Sequence, residues 1–308
     1  VAVTGILLAA GRGERLRPLT DVIPKPALPL LDVPLGAWAL ARLHEVTSDV
    51  VVNVSHLGDV IAGALGGYGD FETLDEGAEP WGTGGTLAAL RGRITDTALV
   101  CNADSLIELD PADLLDVHRA SGSAATIAVR PVSFGADLTI EGTRAAAFVD
   151  RRVDPSAPGA QYLGVAAIDA SALALLPEER PAGFAERLLR PLIERQEVTV
   201  YEVRGRALDV GTVARYLEAS LGLLDGREPR PPHSPPGRLL TVQGGGAYLG
   251  PAATADAASL GPEAIVLAGA TLQEGSLVSS AIVWPGEVVG GGERVRDGVW
   301  ALGRLIPA

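Results

Sequence analysis

Short apolar runs alternate with stretches of helical periodicity over the first two thirds of the chain. Thr4-Gly5-Ile6-Leu7-Leu8-Ala9 reads as a buried parallel strand running into glycine. Residues 35–46 have helical spacing, with Leu35, Trp38, Ala39 and Leu43 on one face. Val50-Val51-Val52-Asn53-Val54 is a second, β-branched strand, and Ser55 is placed to cap a helix carrying Val60, Ile61 and Leu65. Ala98-Leu99-Val100-Cys101 is a further strand, closed by Asn102-Ala103-Asp104. Residues 111–120 follow as a helix with Pro111 at its start and Asp113 in its first turn, and Thr126-Ile127-Ala128-Val129 returns to strand. Repeated strand–helix–strand units predict an α/β fold with a mixed, mostly parallel sheet and helices on both faces.

The pattern changes over residues 132–170. Short strands at Leu138-Thr139-Ile140 and over 145–149 sit between turn residues, which predicts an insertion or antiparallel flap. Residues 184–196 then form an amphipathic helix with Phe184, Leu188, Leu192 and Ile193 inward. A strand at 198–203 and a helix at 212–224 close this part, so 1–225 is expected to be one domain. Five prolines, Pro229, Pro231, Pro232, Pro235 and Pro236, mark 226–246 as an extended linker. In 247–308 a new period appears. Leu260, Val266, Leu272, Val278 and Trp284 recur every six residues, with Ala264, Ala270, Ser276, Ile282 and Val288 four later; the register slips once and resumes at Val289 and Val295. That period predicts a short left-handed parallel β-helix, with the apolar position pointing into the coil.

Composition narrows the function. Among 308 residues, 47% are hydrophobic and 20% charged, which suits a folded core. A net charge of -13 with no basic block excludes a general nucleic-acid binder, and no apolar stretch is long enough to span a bilayer. The N-terminal residues read as a strand, with no signal peptide visible. The single cysteine, Cys101, allows no internal disulfide and fits a reducing cytoplasm, as an inert core thiol. Every basic residue but one is arginine; the exception is Lys25.

That lysine lies in the richest segment of the chain. Leu8-Ala9-Ala10-Gly11-Arg12-Gly13-Glu14-Arg15-Leu16-Arg17-Pro18-Leu19-Thr20 directly follows a strand, and Pro24-Lys25-Pro26 and Pro29 come after it. Gly11 and Gly13 let backbone N–H groups approach phosphate oxygens, and Arg12, Arg15 and Arg17 offer guanidinium forks. Lys25 adds a compact ammonium on a backbone that flanking prolines fix. A lone Gly-x-Gly is a weak signal, and this one matches neither the dinucleotide fingerprint nor the P-loop.

The whole array closely resembles the signature Gly-x-Gly-x-Arg-Leu-x-Pro-Leu-Thr-x3-Pro-Lys-Pro-x2-Pro of the sugar-1-phosphate nucleotidyltransferase family. Glu79-Pro80-Trp81-Gly82-Thr83-Gly84-Gly85-Thr86 resembles the family's loop against the nucleotide base, Asn102-Ala103-Asp104 its Asn-Gly-Asp, and Leu208-Asp209-Val210-Gly211-Thr212 its Asp-Ile-Gly-Thr. The resemblance implies a Rossmann-like core with a sugar-binding flap, in a family where a C-terminal left-handed β-helix is common. It implies attack by a sugar 1-phosphate on the α-phosphorus of a nucleoside triphosphate, with pyrophosphate leaving. Catalysis would fall to Arg15, Lys25 and Asp104, and nucleotide contacts to Leu8, Ala9, Ala10, Gly11, Gly13, Arg15, Gly82, Thr83, Gly84 and Asn102. Asp104 and Asp209 each end a strand and, with phosphate oxygens, would suit Mg²⁺. The sugar end departs from the family pattern: the usual flap Glu-Lys-Pro is replaced by Asp150-Arg151-Arg152 and the usual Asn-Ala-Gly by Tyr162-Leu163-Gly164, leaving Arg151 and Gly164 as the sugar-binding candidates.

The substrate pair that the resemblance favours is GTP with mannose 1-phosphate. A uridylyl- or thymidylyltransferase acting on another hexose 1-phosphate is the first alternative, and a non-catalytic nucleotide-sugar sensor the second. The presence of Arg15, Lys25, Asp104 and Asp209 together favours an enzyme over a sensor. An acyltransferase role for the β-helix is disfavoured, because no histidine follows His233. An open coil end with apolar flanks predicts homo-oligomers through the β-helix. Trp81 suits either stacking on a ligand or packing its own loop.

Overall fold

The computed structural model describes residues 2–308; Val1, the expected start of the first domain, lies outside the described residues. The chain forms two compact units that cut across the sequence segments. One takes the chain up to Gly11 and Ala39–Ala207; the other takes Arg12–Trp38 and Leu208–Ala308.

The first unit is built on a nine-stranded sheet. From one edge the strands run Glu72–Asp75, Val50–Val54, Val3–Leu8, Thr97–Asn102, Gly159–Asp169, Ala125–Val132, Val198–Glu202, Arg144–Phe148 and Leu138–Glu141. The first four are mutually parallel, as the alternation with helices predicts. Consecutive residues such as Ile6 and Leu7, Val51 and Val52, and Leu99 and Val100 are all buried, so both sheet faces are covered. One face packs Ile6, Val51, Val100, Ile127 and Ile168 against Leu87, Leu90, Leu188 and Leu192.

Two expectations change here. The end of the predicted flap is a strand in the middle of the sheet: Gly159–Asp169 runs antiparallel to both Thr97–Asn102 and Ala125–Val132. The hairpin of Leu138–Glu141 and Arg144–Phe148 ends the strand order, and Leu138 also pairs back with Ala160 of the central strand. The amphipathic segment at 184–196 is a π-helical turn, Ala185–Leu189, leading into the α-helix Arg190–Glu194. Pro191 has no N–H to give to the preceding turn, which accounts for the local widening. Phe184, Leu188, Leu192 and Ile193 are buried as the periodicity predicts.

The second unit carries the other half of the phosphate-loop segment. Short 3-10 turns at Glu14–Leu16, Leu19–Asp21 and Lys25–Ala27 lead into a tight hairpin, in which Pro29 pairs with Pro34 and Leu30 with Val33. Both turn residues, Leu31 and Asp32, have left-handed backbone, with φ of 50° and 63°. That is the geometry of a two-residue hairpin, and it strains Leu31 by about 1–2 kcal/mol, offset by burial of its side chain. Asp32 tolerates the conformation better and sends its carboxylate to the C-terminal coil. Oδ1 accepts from the Ala268 N–H at 2.9 Å, and Oδ2 accepts from the Tyr248 hydroxyl at 2.9 Å.

The C-terminal coil has three faces. One pairs Tyr248 with Ile265, Ile265 with Ile282 and Ile282 with Val299; a second pairs Thr254 with Thr271 and Thr271 with Val288; a third pairs Leu260 with Val278 and Val278 with Val295. All are parallel, and Thr254 and Thr271, bonded one turn apart, are separated by 17 residues. Apart from Leu260 and Val278, which are 18 residues apart, the pairings repeat every 17, one residue fewer than three hexads, and this shifts the interior register. Leu249, Val266, Val283 and Trp300 share the interior with Leu260, Leu272, Val278, Val289 and Val295. The six-residue period predicts Trp284 inside, with Val288 four positions later. Instead Val283 takes the interior place, Trp284 is buried outside that cluster, and Val288 is half exposed. Ile265, Ile282 and Val299 face away from the interior yet are fully buried, because the helix Val213–Leu224 packs against this side. The expected linker also ends in structure: Arg238–Val242 pairs antiparallel with Gly245–Leu249.

Candidate active site

In the first unit the parallel register brings three strand ends level, because Leu8 lies opposite both Asn53 and Asn102. Carboxyl ends of parallel strands are where such sheets bind ligands. Ala9 and Ala10 continue from Leu8 and are buried. The Ala9 N–H donates to Asn53 Oδ1 at 2.6 Å, and the Ser55 hydroxyl donates to the Ala10 carbonyl at 2.9 Å. Ser55 therefore holds the loop after the first strand instead of capping the helix Gly58–Leu65, whose N-cap is Leu57.

The Asn53 amide donates to Glu76 Oε1 at 2.8 Å, and so does the Thr86 hydroxyl at 2.5 Å. Glu76 Oε2 accepts the Trp81 N–H at 2.7 Å. Asn53, Glu76 and Thr86 are all buried, so one carboxylate ties the end of the first strand to the loop resembling the base-binding loop. Neither Asn53 nor Glu76 belongs to a motif that the sequence singles out. The available signal was one amide inside a β-branched run.

That loop opens the helix Gly82–Leu90. Its glycines meet protein backbone. Ala182 N–H donates to the Trp81 carbonyl at 2.9 Å, and Gly84 N–H donates to the Ala182 carbonyl at 3.0 Å. A Cβ on Gly82 or Gly84 would come within 2.6 or 2.9 Å of the Ala182 oxygen, and one on Gly85 within 2.9 Å of Trp81 Cβ. The Trp81 ring is stacked by Arg180, whose guanidinium carbon lies 3.5 Å from the ring centroid. Trp81 thus packs its own loop in this structure.

Asn102 and Gly164, candidates for the two ends of the substrate pair, touch. Gly164 has φ of 76°, and a Cβ there would fall 2.5 Å from Asn102 Nδ2. Only glycine leaves room for the amide. Arg151 is engaged within the flap: Nε donates to the Ala136 carbonyl at 3.0 Å and Nη2 pairs with Asp137 Oδ1 at 2.6 Å. Asp137 Oδ2 in turn accepts the Tyr162 N–H at 3.0 Å, so Arg151 is linked through one carboxylate to the strand that carries Gly164. Asp104 follows the strand end and accepts the Ser105 hydroxyl at 3.1 Å. Burial pushes the Cys101 thiol up, as expected of an inert core cysteine.

In the second unit Arg15, Lys25 and Asp209 come together. Lys25 Nζ is 3.4 Å from Asp209 Oδ1, and Arg15 Nη2 is 3.8 Å from Oδ2. The Lys25 side chain is 10% exposed, whereas that of Arg15 is 72% exposed. The Arg15 pair is therefore worth under about 1 kcal/mol. The Lys25 contact is stronger, though the half-exposed Asp209 screens it below the gross value of about 4 kcal/mol for charges at ~4 Å. Gly13, in left-handed backbone, lies against Lys25 and Thr20, whose hydroxyl donates to the Gly13 carbonyl at 2.9 Å. Gly211 makes room for the pair, since a Cβ would lie 2.8 Å from Arg15 Nη2. Arg17 turns away to Asp21 at 3.2 Å.

Such an array has two cations on one carboxylate, at the end of a strand. An anion with several oxygens can bridge the cations, and the carboxylate is a hard oxygen donor. Among the described residues no group of three or more Asp, Glu, His or Cys side chains could hold a metal ion. The donors accordingly fit a hard divalent cation that draws its remaining ligands from phosphate and water, not a self-sufficient protein cage. Among the described residues no helix is long and apolar enough to cross a membrane.

Comparison with known proteins identifies the family. The family model described as Nucleotidyl transferase matches residues 4–226. A mannose-1-phosphate guanylyltransferase of Mycobacterium tuberculosis is 28% identical over 96% of this chain and 82% of its own length. A UTP–glucose-1-phosphate uridylyltransferase of Synechocystis is 26% identical over 71% of this chain, which spans 63% of that protein. A solved structure from Bacillus anthracis, described as a glucose-1-phosphate thymidylyltransferase, shares the fold with a TM-score of 0.60 at 21% identity, over 71% of this chain and 94% of the other. The chain belongs to the nucleotidyl transferase family and is an enzyme of the sugar-1-phosphate nucleotidyltransferase type.

Proposed function

We propose that this enzyme transfers a guanylyl group from GTP to mannose 1-phosphate. The phosphate oxygen of the sugar attacks the α-phosphorus, the bond to the bridging oxygen breaks, and pyrophosphate leaves with that electron pair. The observation that carries the reading is the contact of Lys25 and Arg15 with Asp209. Two anions must approach each other in this reaction, so fixed cations that need no reorganisation lower its barrier most.

Lys25 holds the transferring phosphate and Arg15 the departing β- and γ-phosphates. Leu8 to Gly11, Gly13, Asn102 and the loop Gly82-Thr83-Gly84 take the nucleotide, with Glu76 and Asn53 setting the backbone between them. Gly164 and Arg151 serve the sugar end. Asp104 and Asp209 are the carboxylates that would hold Mg²⁺, which would supply neutralisation of phosphate charge. The choice of GTP and mannose rests on the M. tuberculosis relative, which matches nearly the whole chain including the coil. The Synechocystis relative keeps UTP with glucose 1-phosphate as the second reading.

A matrix of nucleoside triphosphates against hexose 1-phosphates, read as pyrophosphate release, tests the assignment. GTP with mannose 1-phosphate is expected to give the highest kcat/KM. A higher value for UTP or TTP with another sugar replaces the substrate assignment, and binding without turnover for every pair replaces enzyme with sensor.

A further inference from the structure

The hairpin after Lys25 does more than reverse the chain. Its tip, Leu31 and Asp32, is in left-handed backbone at both positions, which leucine rarely adopts. The tip is held there from outside the hairpin. Asp32 Oδ1 accepts the backbone N–H of Ala268 and Oδ2 accepts the hydroxyl of Tyr248, which itself accepts the Gly237 N–H at 2.9 Å. Tyr248 is fully buried on the first turn of the coil.

From the tip, fixed contacts lead back to Lys25. The Leu35 N–H donates to the Leu28 carbonyl at 2.9 Å and the Leu28 N–H to the Lys25 carbonyl at 3.1 Å. The buried Tyr216 hydroxyl donates to the Pro29 carbonyl at 2.6 Å. Pro24, Pro26, Pro29 and Pro34 fix φ through this stretch, so it shifts as a stiff piece. Tyr216 belongs to the helix Val213–Leu224, whose N-cap Thr212 lies three residues after Asp209. The frame therefore closes on the same ion pair from both sides.

We propose that Asp32 is a positioning residue for Lys25: by gripping the first turns of the coil, its carboxylate sets where the lysine ammonium stands relative to Asp209. The coil is then part of the phosphate-binding machinery. Burial raises the Asp32 carboxyl above its usual range, against its bonds to Ala268 and Tyr248, so the grip is strongest where the group is charged. This inference rests on the proposed role of Lys25 for its kinetic consequence, but not for its structural one.

Lys25 is the only lysine, so full-length protein grown with ¹³C-lysine reports its side chain as one signal. In Asp32→Ala the Lys25 signal is expected to move and broaden, and kcat to fall by about 10- to 100-fold with a smaller change in KM. Tyr248→Phe should shift the signal the same way by less, and Asp32→Asn, which keeps an acceptor for Ala268, should recover part of kcat. Thr254→Ala, on the exposed coil surface, is the control and should leave the signal in place. An unmoved Lys25 signal in folded Asp32→Ala overturns the proposal; if that variant fails to fold, an unmoved signal in Tyr248→Phe does so. A wild-type protein without turnover on any substrate pair overturns the functional reading instead, and the signal still decides the role of Asp32.

Discussion

Lys25 Nζ and Asp209 Oδ1 stand 3.4 Å apart although 184 residues separate them in the chain. The lysine is nearly buried and the aspartate half exposed, so the pair is held from the lysine side. In the absence of phosphate each neutralises the other. On the proposed mechanism a bound triphosphate would compete for the ammonium, and the carboxylate would then be available to a divalent cation.

Lys25→Ala is accordingly expected to lower kcat by about 10²–10³-fold, the usual loss on removing one fixed donor to a developing charge. Lys25→Arg should not restore it, because a planar fork cannot replace a compact ammonium beside Asp209. Pyrophosphate release and circular dichroism together check this; near-normal turnover in folded Lys25→Ala removes the lysine from the mechanism.

Gly84→Ala places a Cβ 2.9 Å from the Ala182 carbonyl oxygen, which is backbone and cannot swing away. A loss of about 1–3 kcal/mol in unfolding free energy is expected from such overpacking, with a raised KM for the nucleotide. Unchanged stability and KM would show that the Ala182 segment is free to move.

Glu76→Ala leaves the Trp81 N–H, the Asn53 amide and the Thr86 hydroxyl without their shared acceptor. The Asn53 amide keeps Thr86 Oγ1 at 3.1 Å and the Thr86 hydroxyl keeps the Gly82 carbonyl at 3.1 Å, so the loss expected in urea unfolding is that of about one orphaned donor, about 1–3 kcal/mol. Thr83→Ala, which touches none of these bonds, serves as the comparison.

These two sites mark the limits of what the sequence disclosed. The Pro-Lys-Pro step and Asp209 at the end of a strand are legible in the sequence as a fixed cation and a carboxylate, and the structure brings them together. Asn53 and Glu76 are not legible, since a buried amide and carboxylate signal nothing until the strands bring them level. The placement of Gly159–Asp169 inside the sheet was hidden for the same reason: strand pairing is a long-range choice, whereas helical period is local. The coil was legible as a period of six, but not the shortened side that puts Val283 inward in place of Trp284.

Val288 and Val289 test that register directly. Val289 is fully buried and Val288 is 49% exposed. Val289→Asp is expected to lower the thermal midpoint strongly, because it buries an unpaired charge, while Val288→Asp should change stability by no more than about 0.5 kcal/mol. Equal effects would refute the assigned interior.

Stability should also respond to acid through Arg93, which bridges Asp49 and Glu72. Burial pushes the Asp49 carboxyl up, but its bonds to Arg93 and Thr4 outweigh this and hold it below its usual value. The Arg93 hydrogen bond holds Glu72 low as well. A lowered folded value means stability that is present above the ordinary carboxylate range and lost as pH falls through the lowered one. The gap in thermal midpoint between wild type and Arg93→Met should be constant near neutrality and close below about pH 4. A gap that persists in strong acid contradicts the linkage.

The parallel coil makes length a quantised property of this chain. Each turn bonds only to its neighbours, 17 residues away in the pairing of Thr254 with Thr271. Whole turns could be gained or lost before the closing antiparallel strand Arg304–Pro307 without altering the rows that remain, whereas an insertion of several residues within a turn would have to bulge out of the coil. Asp32 grips the first turns alone, so those turns are the fixed origin from which any such growth would be counted.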